Sequence, residues 1–250
     1  MIGVFDSGVG GKNSYKELRR LLPDEKMIYL ADRPNAPYGT KDRDTVLKCT
    51  RNNIRALKRM GADRILIACC TASSVYHLLD EDDRAGTLPI ISPTAAKALT
   101  YGERVAVIAT EQTVSSHAFR EAILGENPRA SVTELPTQIL VSLVELGARD
   151  GELLPREGDL LDKIAKEIRK GSPDSLILGC THFSSLAGEL RERLDGTEIV
   201  DAALVGASTL ASLVMRDNCR EGQDKFTPSC GRLGKVTYTE GSGASRCSSK

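Results

Sequence analysis

Residues 65–74 read ILIACCTASS and residues 176–185 read LILGCTHFSS. Each begins as a short, unbroken apolar run, the pattern of a strand covered on both faces. Each passes at a cysteine into small and hydroxyl residues that open a helical pattern. Laying Cys69 on Cys180, an offset of 111 residues, puts Ala68 on Gly179 and Ser73 and Ser74 on Ser184 and Ser185. Residues 3–8, GVFDSG, fall in the same way on residues 106–111, AVIATE, at an offset of 103. The repeat predicts two related α/β halves, each presenting one thiol at the C-terminal end of a strand. In open α/β sheets that edge is where ligands bind, so two facing halves place one thiol on each side of a shared cleft.

Working outward, further strand candidates cover 2–5, 27–30, 89–91, 105–109, 131–135 and 198–200, with 65–68 and 175–178 inside the repeated stretches. Helical patterns lie between them. Residues 42–60 carry Val46, Leu47, Ile54 and Leu57 on one face and stop at Gly61; residues 160–170 stop at Gly171. Glycine is the preferred residue just past a helix end. Strands alternating with helices predict an α/β fold with mainly parallel sheets. The expected organisation is two pseudo-symmetric domains with the active site between them. Residues 1–92 plus 202–240 carry Cys69, and residues 93–201 carry Cys180. A Gly/Ser-rich flexible tail is expected over 241–250.

Composition narrows the chemistry. The 250 residues hold 34 basic and 34 acidic side chains, so the chain lacks the basic field on which non-specific nucleic-acid binding relies. Aromatic residues make up 4% and Trp is absent, which argues against a base-stacking platform. No apolar run reaches bilayer-spanning length, and the opening MIGVFD lacks the basic and apolar regions of a signal peptide. A cytoplasmic protein with neither nucleic-acid nor membrane partners is expected. The seven cysteines form no CxxC pair, and the three histidines are scattered without HExxH. A disulfide framework and a metal site therefore have no support. The glycine loop 8–11 is not a phosphate loop, because that motif needs Gly at position 6 and Ser or Thr at 13, where Asp6 and Asn13 stand.

Two thiols across a cleft suit proton transfer at a carbon centre. Inversion needs a base on one face and an acid on the other, exchanging roles when the direction reverses. A thiol, with an ordinary pKa of about 8.5, serves as either. A helix N-terminus after each cysteine would favour thiolate and hold a carboxylate. The residues by themselves leave a second reading open, since free cysteines after buried strands are commonly small core residues. Asp6 likewise reads as a turn cap, His182 as a helix-start residue and Glu145 as a solvated helix charge.

The motifs GVFDSGVGG (3–11), NAPYGTKDRDTV (35–46), ACCTAS (68–73) and GCTHF (179–183), in this order and spacing, resemble the glutamate racemases of the cofactor-independent aspartate/glutamate racemase superfamily. The likeness runs to about residue 241. It implies a reaction without pyridoxal phosphate, metal or other cofactor, and a homodimer acting on a small amino acid. It gives Cys69 and Cys180 the two acid/base positions, one for each enantiomer. Asp6 becomes the carboxylate beside the first thiol and His182 the imidazole beside the second, with Glu145 a further acid near the cleft. Ser7, Pro37, Tyr38, Gly39, Thr71, Thr113 and Thr181 match substrate-holding positions, as does Cys70. Fixed donors there suit a carbanion forming next to a carboxylate.

The chain departs from the family pattern in places. Cys69-Cys70-Thr71 stands where the family reads Cys-Asn-Thr, whose Asn side chain contacts the substrate. Lys12-Asn13 replaces an apolar and a hydroxyl residue, and Gln112 replaces a Gly. A thiol is a poorer hydrogen-bonding group than an amide. Losing one bond to a charged ligand costs about 1.5–3 kcal/mol, or roughly ten- to a hundredfold in affinity. The expected activity is glutamate racemisation supplying D-glutamate for peptidoglycan. The alternatives are racemisation of aspartate or another amino acid, and a weakened relative that binds without turnover.

Overall fold

Among the described residues, eight strands form two four-stranded parallel sheets. In chain order they are β1 (Ile2–Asp6), β2 (Met27–Ala31), β3 (Arg64–Ile67), β4 (Thr87–Pro89), β5 (Arg104–Ala109), β6 (Ser131–Pro136), β7 (Ser175–Gly179) and β8 (Glu198–Asp201). The first sheet runs β2-β1-β3-β4 and the second β6-β5-β7-β8, the same order twice. The offset of 103 therefore lays β1 on β5, and the offset of 111 lays β3 on β7. All eight expected strands are present with ends moved by one or two residues. A computed structural model describes residues 1–147 and 155–224, and the tail expected over 241–250 lies outside them. Met1–Val214 form one compact unit that includes both sheets; a second unit, Met215–Lys250, is described to Asp224 as the end of helix Ala202–Asp224.

The apolar strands are sandwiched as their composition requires. Period-two alternation divides their side chains between cores. Val4, Leu66, Val107 and Ile177 point into a central core with Ile90, Phe119 and Ala207. Phe5, Ile65 and Ile67 point the other way onto Ile54 and Leu57. Ile108, Leu176 and Leu178 face Leu140, Leu161 and Ile168. The central core is common to both sheets, which keeps the C-terminal ends of β3 and β7 close together.

Helix Arg43–Arg59 starts where Asp42 accepts a 2.9 Å bond from the Thr45 N–H. It ends at Gly61, whose φ of +90° is a conformation glycine adopts without strain. Helix Pro155–Arg169 ends differently from expectation. The left-handed residue there is Ser172, at φ +43°, not Gly171.

Candidate active site

β3 ends one residue before Ala68, and Cys69 then caps a single helical turn, Cys70–Ser73, accepting the Ala72 N–H at 3.4 Å. Cys180 follows β7 directly and precedes a 3-10 turn, Thr181–Leu186. Both thiols line one small cavity of about 30 Å³, room for about one water molecule. Ser7, Pro37, Tyr38, Gly39, Cys70, Thr71, Thr181 and His182 line it as well. Three lining residues escaped the sequence reading: Thr110, Gln138 and Val141. Thr110 was legible, because the offset of 103 lays it on Ser7. Gln138 and Val141 follow β6 and carry no motif.

Three expected residues sit behind the cavity wall. Asp6, fully buried at the end of β1, accepts the Gly8 N–H at 2.8 Å and the Thr181 hydroxyl at 3.3 Å. It thereby ties the glycine loop to the segment after Cys180. Thr113 closes a triangle of hydroxyls, 3.0 Å from Thr71, 2.8 Å from Thr110, with Thr71 and Thr110 also 3.0 Å apart. Glu145 is exposed, with its carboxylate 3.3 Å from His182 Nε2, while His182 Nδ1 lies 3.7 Å from the Cys180 sulfur. These contacts make a chain Glu145–His182–Cys180 behind the second thiol. Behind the first, the Ser7 hydroxyl lies 3.3 Å from the Cys69 sulfur. The Tyr38 hydroxyl donates to Asp32 at 2.6 Å, and Asn53 also donates to Asp32, at 2.9 Å. Tyr38 thus holds the cavity wall through its hydroxyl instead of offering that group inward.

The glycine loop is required by contact. A Cβ at Gly11 would lie 2.5 Å from the Asp6 Cβ, and one at Gly10 would lie 2.3 Å from the Thr181 hydroxyl oxygen. Gly11→Ala therefore displaces a buried carboxylate with no room to move. We expect the substitution to cost about 1–3 kcal/mol of stability and to lower turnover, read by thermal melting and initial rates. Wild-type values for both would remove the loop's packing role.

Electrostatics differs from the expectation of thiols near their ordinary pKa. Burial, with the Asp6 charge adding to it, pushes Cys69 up to about 11. Burial pushes Cys180 up further, against the partial relief of the His182 N–H. The helix after Cys69 is a single turn, too short for the aligned dipoles that would favour thiolate, whereas the 3-10 segment Thr181–Leu186 after Cys180 runs on into helix Ala187–Arg193. Asp6 is itself raised by burial, opposed by the Gly8 and Gly11 N–H groups, His182 and Thr181. Among the described residues no group of three or more His, Cys, Asp or Glu is arranged to hold a metal, and no helix is long and apolar enough to cross a membrane.

Residues 3–210 match the family model of Asp/Glu/hydantoin racemases. A glutamate racemase of Aquifex aeolicus is 33% identical over 90% of this chain and 88% of its own length. The crystal structure of a glutamate racemase from Francisella tularensis, in complex with D-glutamate, superposes with a TM-score of 0.76 at 30% identity, covering 87% of this chain and 81% of that one. A Bacillus anthracis glutamate racemase gives a TM-score of 0.81 at 26% identity over 87% of this chain and 82% of that one.

Proposed function

The chain belongs to the Asp/Glu/hydantoin racemase family, and from that premise we propose that it interconverts L- and D-glutamate by proton transfer at Cα between Cys69 and Cys180, with no cofactor. The observation that carries this reading is the pair of thiols at equivalent strand ends of two like-ordered sheets, both lining one cavity. In one direction the thiolate on one face takes the Cα proton while the thiol on the other returns a proton to the opposite face. The reverse direction exchanges the two roles, so the enzyme ends each turnover in the opposite protonation state. Asp6 accepts a proton at the Cys69 side, and His182, backed by Glu145, does so at the Cys180 side. Hydroxyls of Ser7, Thr71 and Thr181 hold the substrate's charged groups. The cavity is far smaller than an amino acid, so substrate enters by widening the cleft and is then enclosed. Enclosure keeps water from the carbanion and strengthens each electrostatic contact around it.

The same reading divides the chain into two domains, 1–92 plus 202–240 and 93–201, and makes the protein a cytoplasmic homodimer supplying D-glutamate for peptidoglycan. Support for these comes from family resemblance. Cys70, buried in the cavity wall where the family pattern has Asn, supports a second reading in which the substrate is aspartate or another amino acid.

The deciding experiment follows Cα exchange by NMR in deuterium oxide, with L-glutamate, D-glutamate and L-aspartate offered separately to reduced, folded protein. Exchange and inversion of both glutamate enantiomers, with little exchange of aspartate, is the expected result. Preferential exchange of aspartate would establish the second reading, and no exchange of any of the three would overturn the glutamate reading and favour a different amino acid or a relative that binds without turnover.

A further inference from the structure

Gln138 sits between β6 and helix Ile139–Gly147 and lines the cavity with the two thiols. Its side-chain Oε1 is buried and has no hydrogen-bond partner among the described residues. The amide lies against Gly39 of the opposite half, where an added Cβ would come within 2.5 Å of that oxygen. A buried acceptor left without a donor is unfavourable, so an oxygen kept in this condition marks a place where a ligand supplies the donor. Across the same cavity Cys70 occupies the position at which the family pattern places a substrate-contacting amide, and a thiol cannot reproduce an amide's bonding.

We propose that Gln138 is a substrate-binding residue whose carboxamide supplies, from the second half of the molecule, the amide contact that Cys70 cannot make. The proposal rests on the amino-acid substrate argued above. At neutral pH an α-amino acid has one donor group, its ammonium, while its carboxylates only accept. The unpartnered Oε1 therefore accepts from the ammonium. Contact with Gly39 also makes this bond part of closing the cleft, because the amide reaches the cavity only where glycine leaves the space.

Initial rates and glutamate affinity for the full chain, wild type against Gln138→Leu and Gln138→Glu, test this. Gln138→Leu should raise KM for both enantiomers about tenfold or more, the loss expected for one bond to a charged group, with kcat changed less than about threefold. Gln138→Glu retains an acceptor facing the ammonium and should keep KM within about threefold of wild type. A KM for Gln138→Leu within twofold of wild type, or a fall in kcat alone, overturns the assignment. A KM for Gln138→Glu above that of Gln138→Leu overturns the ammonium as the partner. Should Gln138→Leu fail to fold, the KM of Gln138→Glu decides alone, a tenfold rise counting against the proposal. Cα exchange by the wild type is read in the same samples. Exchange with unaltered KM in Gln138→Leu defeats this inference only, whereas neither exchange nor glutamate binding by the wild type defeats the substrate reading and this inference with it.

Discussion

Cys69→Ser and Cys180→Ser should each lower racemisation by about 10²- to 10⁴-fold, the usual contribution of a positioned acid or base. Serine keeps the shape and the hydrogen-bonding reach of the thiol but gives up its proton far less readily. Each variant retains one thiol, so each should still exchange the Cα proton of one enantiomer without inverting it. The proton lost to the remaining thiol returns from the same face. The two variants should therefore differ in which enantiomer exchanges, as NMR in deuterium oxide will read directly. Near-normal turnover in either variant removes that cysteine from the mechanism. Identical residual exchange of both enantiomers in both variants would defeat the assignment of one thiol to each face.

The second large effect is expected at Asp6. Cys69 is pushed up to about 11 by burial first and by the Asp6 charge second. Only the thiolate abstracts a proton, so in the free enzyme the competent fraction rises with pH and approaches its limit only near that value. Across pH 7–9 kcat/KM should accordingly increase, by at most about tenfold per unit. Asp6→Asn removes the neighbouring negative charge, so Cys69 titrates lower and the rise begins at lower pH. It also removes the buried acceptor, and the plateau should fall by about 10²-fold or more. A pH-independent wild-type profile over this range would contradict the elevated thiol. A variant profile displaced to higher pH would contradict the sign of the Asp6 contribution.

Most of the architecture was legible because it is written in local pattern. Apolar runs such as 65–68 and 175–178 form strands in any parallel sheet buried on both faces, and the double alignment of Cys69 on Cys180 and Gly3 on Ala106 already implied two sheets of one order. Gly61 stops its helix by its own backbone freedom. Gly171 does not, since Ser172 is held in the left-handed conformation instead, an outcome that no local preference favours. At the site, Cys69, Cys180, Ser7, Thr71, Thr181 and His182 were identifiable from motifs because each lies within four residues of a strand end. Thr110 stands at such an end too and was carried by the repeat.

The sequence by itself determined the fold class, the pairing of the two thiols and the side of the sheets on which they stand, since strand length, period and direction are local and repeat twice. Only the tertiary structure decided how the cavity is walled and how its groups are charged. Asp6 bonded to Thr181 across 175 residues, Thr71 bonded to Thr110 and Thr113 across 39 and 42, and Gln138 against Gly39 are all contacts between segments distant in the chain. The raised pKa values of both thiols belong with them. Burial depends on what both halves of the molecule place around a group, and no stretch of sequence around a cysteine carries that information.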